Sequence, residues 1–237
     1  MKDRITFGII GRGRFGALWA RCLGRLGRVV VCGRKSSPAL FKKAMAADIL
    51  FLAVPISQME KCCRRISPFL GPRTIVADVC SVKEYPAKIM RRILPGTQPI
   101  VATHPLFGPD SVARLGLPGQ KIVVSVLRAS AKQKAFFESI FKTLKLKIIH
   151  ATPEEHDRQM ARSQALVHFI GRGLQSLNLR PQDISTPDYQ FLLRMNDMVT
   201  HDTRQLFLDM QRYNRFAKKI RQRFLNDLKR INSKIQR

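Results

Sequence analysis

Acidic residues are scarce in this sequence: 16 Asp and Glu stand against 43 Lys and Arg, a formal net charge of +27 over 237 residues. Such an excess favours anionic ligands through long-range attraction and opposes compactness through self-repulsion, without naming the ligand. It is not gathered in one tail either. Positions 1 to 150 carry 27 basic and 7 acidic side chains, and positions 151 to 237 carry 16 and 9, which is unlike a disordered nucleic-acid-binding arm. Long apolar runs are missing too; none approaches the roughly 18 to 20 residues of a membrane span. Met1-Lys2-Asp3-Arg4 leads into a strand-like segment without the apolar core and small-residue cleavage site of an export signal. A soluble, cytoplasmic protein with no membrane partner is expected. There is no internal repeat and no low-complexity linker. The five cysteines, Cys22, Cys32, Cys62, Cys63 and Cys80, are odd in number and lack CxxC spacing, so they read as reduced, unpaired thiols. No histidine or cysteine pair near Cys62 and Cys63 completes a metal site, and no metal is expected.

What is present is a regular alternation. Short apolar runs cover Ile5 to Ile10, Arg28 to Cys32, Ile49 to Val54, Thr74 to Ala77, Pro99 to Thr103, Lys121 to Val126 and Lys147 to His150. Helical patterns intervene, through Leu18, Cys22 and Leu26 and from Ala131 to Leu144. Brief, nearly continuous apolar runs of this kind are expected for parallel strands covered on both faces. The fold class is therefore α/β, with an N-terminal doubly wound Rossmann-type sheet over residues 1–150.

After His150 strands give way to amphipathic helices, a smaller all-α C-terminal domain over residues 151–237. Thr152, Pro153 and Glu155 form a capping-box signature that starts a long helix. Further helices are predicted over Asp188 to Met198 and Thr203 to Ile231. In the last, Tyr213, Phe216, Ile220, Phe224, Leu228, Ile231 and Ile235 fall at steps of three and four and make one apolar stripe between basic faces.

Gly11-Arg12-Gly13-Arg14-Phe15-Gly16 matches G-x-G-x-x-G. Its glycines permit a tight turn and close approach of backbone to a pyrophosphate, with a helix N-terminus facing the phosphates. The motif is weak alone, but here it sits between the first strand and the first helix, the context that supports it. An acid at the end of the second strand would accept hydrogen bonds from the adenosine ribose of NAD. The chain instead reads Val31-Cys32-Gly33-Arg34-Lys35-Ser36, and an arginine there can meet a 2′-phosphate. NADP is thus preferred, with NAD left open. The expected cofactor contacts are Gly11, Gly13, Arg14, Phe15, Gly16, Arg34, Lys35 and Ser36, joined by Val54 and Pro55 after the third strand.

Ligands of open α/β sheets collect beyond the carboxyl ends of the strands. Two polar segments stand at such ends: Asp78-Val79-Cys80-Ser81-Val82-Lys83 after the fourth strand, and Thr103-His104-Pro105-Leu106-Phe107-Gly108-Pro109-Asp110-Ser111 after the fifth. A dehydrogenase acting on an alcohol needs a group to take the hydroxyl proton as hydride leaves, and a histidine suits that task. His104 is the candidate base, with Ser81 to orient it or the substrate.

These segments, with Glu154-Glu155-His156-Asp157 and Ser163-Gln164-Ala165-Leu166-Val167-His168, resemble the prephenate and arogenate dehydrogenases over nearly the whole chain. Thr186 to Leu193 looks like the plant-type arogenate enzymes. The resemblance implies oxidative decarboxylation of a cyclohexadienol in tyrosine biosynthesis, a substrate site between the two domains, and a homodimer formed through the C-terminal helices. It also implies that His104 is the catalytic histidine, that Ser81 works beside it, and that His168, Gln164, Asp110 and Ser111 belong to the substrate site. One departure matters: Gln190 stands where many bacterial members carry a carboxylate-clamping arginine, and an amide cannot replace a bidentate guanidinium in kind. Arg194, one helical turn on, can supply the charge; the substitution leans toward arogenate over prephenate. Two alternatives stay open: a dehydrogenase for another small carboxylated substrate, and a catalytically retired, basic nucleic-acid-binding relative. The absence of a nucleic-acid motif argues against the latter.

Overall fold

A computed structural model of the chain describes residues 4–236; Met1, Lys2 and Asp3, part of the segment read above for an export signal, lie outside the described residues. The chain divides into two compact units, Met1–Glu154 and Glu155–Arg237.

The first unit runs β1 (Thr6–Ile10), α1 (Arg14–Leu23), β2 (Arg28–Cys32), α2 (Pro38–Met45), β3 (Ile49–Leu52), α3 (Met59–Ile66), β4 (Ile75–Asp78), α4 (Glu84–Ile93), β5 (Ile100–Pro105), α5 (Pro109–Leu115), β6 (Lys121–Arg128), α6 (Ala131–Thr143) and β7 (Lys147–His150). Among the described residues the seven strands form one sheet in the order β2-β1-β3-β4-β5-β6-β7. β1 lies between β2 and β3, so the connections leave it in opposite directions and open a crevice at its carboxyl end. The central strands β3, β4 and β5 are buried at every residue, while the edge strand β7 is largely exposed. That contrast explains the continuous apolar runs of the central strands.

The direction of β6 and the length of α1 depart from expectation. The strands up to β5 are parallel, but β6 pairs antiparallel to β5, and β7 is parallel to β6. The reason is local: after β5 the chain stays at the carboxyl edge, the Leu106 N–H donates to the Lys121 carbonyl at 2.9 Å, and β6 starts where β5 stopped. A parallel return would have needed a crossover back to the other edge. Secondly, α1 ends at Leu23 instead of reaching Leu26, since Gly24 and Gly27 follow.

The core between α1, α6 and the sheet is aromatic. Trp19 meets Phe51 edge-on at 5.6 Å, Phe51 lies 6.0 Å from Phe137, and Phe137 meets Phe141 edge-on at 5.0 Å. All four are at most 1% exposed. Truncating one such ring to alanine costs about 3–5 kcal/mol, so this cluster anchors α1, and with it the glycine turn at its N-terminus.

The second unit comprises most of α7 (Pro153–Arg162), then α8 (Gln164–Leu174), α9 (Tyr189–Thr200), α10 (Arg204–Tyr213) and α11 (Ala217–Ile235). The long helix expected from Thr152 is broken at Ser163, whose φ and ψ of −102° and −91° are not helical; its hydroxyl donates to the Gln159 carbonyl at 2.9 Å, ending α7. The expected Thr203 to Ile231 helix is likewise two. Asn214 is extended (φ −85°, ψ 105°), its amide donating to the Asp157 carbonyl at 2.7 Å and its carbonyl oxygen accepting from the Phe216 N–H at 3.0 Å. A buried side chain that serves two backbone groups holds the break in place. Tyr213 and Phe216 therefore lie outside the helix that carries Ile220, Phe224, Leu228, Ile231 and Ile235.

Candidate active site

Because β2, β1, β3, β4 and β5 are mutually parallel, the loops that leave their carboxyl ends share one edge of the sheet. That edge gathers the glycine turn after β1, Gly33 to Ser36 after β2, Val54 and Pro55 after β3, Ser81 after β4 and the end of β5.

The glycine turn is built as the motif requires. Gly11 has φ +128°, and a Cβ there would stand 2.1 Å from the Ala53 carbonyl oxygen; at Gly16 it would stand 2.1 Å from the Gly11 carbonyl oxygen. Both positions exclude any side chain. Gly13 differs: a Cβ would meet nothing within 4 Å. Its glycine is not demanded by the protein's own packing, and space over the turn at the N-terminus of α1 fits a pyrophosphate. Phe15 is not directed at a ligand alone, for it stacks on Trp19 at 5.9 Å and lies 6.3 Å from Phe107.

At the end of β2, the Ser36 hydroxyl accepts from the Gly33 N–H at 2.9 Å and shapes the loop, while Arg34 and Lys35 are exposed. Arg12, not among the expected cofactor contacts, extends over the same loop: its guanidinium donates to the Val31 carbonyl at 3.3 Å.

The segments of the candidate catalytic residues Ser81 and His104 are held by a buried ion pair to which their sequence assigned no role. Lys83 and Asp78 have side chains 0% exposed and pair directly. Lys83 also donates to the Thr103 carbonyl, Asp78 accepts from the Cys80 N–H at 2.9 Å and the Thr103 N–H at 3.3 Å, and the Thr103 hydroxyl donates to the Asp78 carbonyl. One pair thus fixes the residue before Ser81 and the residue before His104. Ser81 is 8% exposed, and its buried hydroxyl has no hydrogen-bond partner among the described residues. His104 is 4% exposed. It lies within β5, opposite Val123 of β6, and not in a loop beyond a strand ending at Thr103 as expected. The antiparallel partner β6 prolongs the ladder past the point where the apolar run stops. The neighbouring Cys80 thiol is pushed well up by burial and stays protonated, so it is no nucleophile.

Of the segment after His104, Asp110 pairs with Arg14 at 2.7 Å, both partly exposed. Ser111 accepts from the Gly108 N–H at 2.9 Å and donates to the Gly108 carbonyl at 3.1 Å, closing the first turn of α5. It has a structural duty that the sequence did not disclose.

In the second unit, Gln164, His168 and Arg172 follow one face of α8 at steps of four. Gln164 Oε1, His168 Nδ1, Arg172 Nε and, on α9, Asn196 Oδ1 are buried without a hydrogen-bond partner among the described residues. The face is polar where a packing helix would be apolar. Burial lowers the proton affinity of His168; Asp202, whose carboxylate is 3.6 Å from Nε2, opposes this, and Arg172 adds to the lowering. His156 and Asp157 form a buried pair at 2.8 Å. Gln190 and Arg194 are exposed, and Arg194 lies over Phe191 of its own helix at 5.1 Å, its Nε donating to the Gln190 carbonyl.

All five cysteines are buried and free, and burial lifts Cys62 to about 12. No group of three or more metal-ligating side chains occurs among the described residues. No helix there is long and apolar enough to cross a membrane.

A family model described as prephenate dehydrogenase, nucleotide-binding domain, matches residues 28–146, half of the chain, and one described as TYRAAT1-like, C-terminal domain, matches residues 173–237. The first match begins after the glycine turn, so the turn's role rests on its geometry. A probable arogenate/prephenate dehydrogenase of Methanocaldococcus jannaschii is 28% identical over 80% of this chain and 44% of its own length. Arogenate dehydrogenase 2, chloroplastic, of Arabidopsis thaliana is 28% identical over 90% and 65%. The chain thus spans about half to two thirds of these relatives. The crystal structure of Synechocystis arogenate dehydrogenase shares the fold, with a TM-score of 0.70 at 22% identity over 98% of this chain and 92% of that one. With its family-model match and its mostly parallel nucleotide-binding sheet followed by helices, the chain belongs to the prephenate dehydrogenase family.

Proposed function

We propose that this protein catalyses the NADP-dependent oxidative decarboxylation of arogenate, with prephenate the second substrate and NAD the second cofactor. The observation that carries the proposal is the placement of Ser81 and His104 at the carboxyl ends of adjacent strands, each next to a residue whose backbone the buried Asp78–Lys83 pair holds, on the edge that also bears the glycine turn. When bound, the nicotinamide supplies the hydride acceptor. His104 takes the proton of the ring hydroxyl as hydride leaves the carbinol carbon. The ring carboxylate departs as carbon dioxide, and its bonding pair enters the ring, which becomes aromatic. The oxygen is then a phenolate, and His104 returns the proton to it. Ser81, with its unpartnered buried hydroxyl, orients the substrate oxygen toward His104.

The first unit is the NAD(P) domain, using Gly11, Gly13, Arg14, Phe15, Gly16, Val54 and Pro55 around the dinucleotide, and Arg34, Lys35 and Ser36 at its adenosine end. The second is the substrate and dimerisation domain. Gln164 and His168 contact substrate, and Asp110, Ser111, Gln190 and Arg194 are further contacts. The exposed apolar stripe of α11, with Leu228 45% and Ile231 52% exposed, is the seam of a homodimer. A four-way assay tests the proposal: arogenate and prephenate, each with NADP and NAD, followed by the near-ultraviolet absorbance of the reduced nicotinamide. Arogenate with NADP is expected to give the highest kcat/KM. Cofactor binding without reduction by either substrate would overturn the assignment.

A further inference from the structure

The end of β2 carries one cation more than its own sequence provides. Arg12 belongs to the glycine turn, yet its side chain leaves the turn and lies along the neighbouring strand. A Cβ built at Gly33 would be 3.2 Å from Arg12 Cδ, 3.5 Å from Cγ and 3.7 Å from Nε, and the guanidinium donates to the Val31 carbonyl at 3.3 Å. Gly33 therefore leaves the room that the Arg12 stem takes. Arg34 follows directly in the chain, and Lys35 after it. The charges that bear on the Cys32 thiol at the tip of this strand, Arg12 and Arg65, are both cationic. The N-terminus of α2, capped by Ser37 and with no acid in its first turn, faces the same loop.

From this geometry we infer that Arg12 is a specificity-determining residue, forming with Arg34 a two-guanidinium clamp for a phosphate on the adenosine 2′ position. The inference rests on the dinucleotide reading of the glycine turn given above and deepens it. An exposed arginine held only by its own stem is a weak anion site, since screening and side-chain entropy offset most of the attraction. Two guanidinium groups, one from the turn after β1 and one from the loop after β2, can face one phosphate from two sides, each donating in fork geometry. The Val31 carbonyl is what orients Arg12. A neutral ribose hydroxyl offers such a pair nothing to neutralise, so Arg12 separates the two dinucleotides where Arg34 alone would do so weakly.

The test uses the full chain and two adenosine probes, 2′,5′-ADP and 5′-AMP, by titration calorimetry, so it does not depend on turnover. Wild type is expected to bind 2′,5′-ADP more tightly. Arg12→Gln is expected to lose about tenfold or more in affinity for 2′,5′-ADP, as for loss of a charge-assisted hydrogen bond, and less than about threefold for 5′-AMP. Arg12→Lys, which keeps the charge without the fork, should fall between. Arg12 is exposed, and an unchanged thermal midpoint verifies that the variants fold. Equal losses for both probes would overturn the inference, since Arg12 would then serve the turn and not the 2′ position. So would a normal Arg12→Gln beside an impaired Arg34→Gln, which leaves the NADP reading standing without Arg12. Wild type binding neither probe would remove the dinucleotide reading itself, and the clamp with it.

Discussion

Lys83 reaches back five residues to Asp78, and both side chains of the pair are fully withdrawn from solvent. Each also holds the backbone of Thr103, so the fourth and fifth strands are joined by charge at their carboxyl ends. Breaking one side leaves an uncompensated buried charge, at about 3–5 kcal/mol. Lys83→Met should therefore lower the free energy of chemical denaturation by about that amount and depress kcat, because Ser81 and His104 lose their common support. Lys83→Met with Asp78→Asn should recover much of the stability. Additive losses in the double variant would argue against the pair.

The glycines of the turn should separate folding from binding. Gly16→Ala drives a methyl group against the Gly11 carbonyl, and the protein is expected to lose thermal stability whether or not cofactor is present. Gly13→Ala meets no protein atom within 4 Å, so its thermal midpoint should match wild type. Its affinity for the dinucleotide should nonetheless fall by about tenfold or more, since the methyl group occupies the approach of the pyrophosphate. Unchanged affinity in Gly13→Ala would remove the phosphate from the turn.

The sign of a pH effect follows from His168. Burial, the largest cause, sets its proton affinity below the ordinary value of 6.5. The neutral imidazole is thus the form the fold prefers. Its contribution to stability is complete above the unfolded value and is lost as pH falls below about 6.5. Thermal scans in that range should show a decline in wild type that is reduced in His168→Gln. A decline of equal slope in both would assign it elsewhere.

On α11 the apolar residues grow more exposed toward the chain end, with Ile235 at 77%. If the stripe is the dimer seam, Leu228→Asp should turn a dimer into a monomer by light scattering, with the secondary structure retained. A wild-type monomer at micromolar concentration would contradict the seam.

Much of the first unit was legible in the sequence, because buried parallel strands must be apolar throughout. That rule applies to the central strands β3, β4 and β5; the limits of the edge strands Arg28–Cys32 and Lys147–His150 followed from their apolar runs although both are partly exposed. The antiparallel turn of β6 was not legible, since direction depends on where Leu106 meets Lys121 and not on either strand's composition. Nor were the helix breaks at Ser163 and Asn214, where single side chains capture backbone groups in spite of continuing apolar periodicity. Ser81 and His104 could be picked out because polar residues at strand ends are conspicuous. Lys83 could not, for a lysine in a strongly basic chain looks like surface until its buried partner is seen. Arg12 was hidden for the same reason, and only its path over Gly33 distinguishes it.

The most direct test of the reaction is His104→Asn, measured for turnover and for cofactor binding on the same preparation. An amide of similar reach keeps hydrogen-bonding capacity but cannot take the hydroxyl proton. Turnover of arogenate should fall by about 100- to 10,000-fold, with dinucleotide affinity within about threefold of wild type. His104→Asn turning over like wild type would contradict the account.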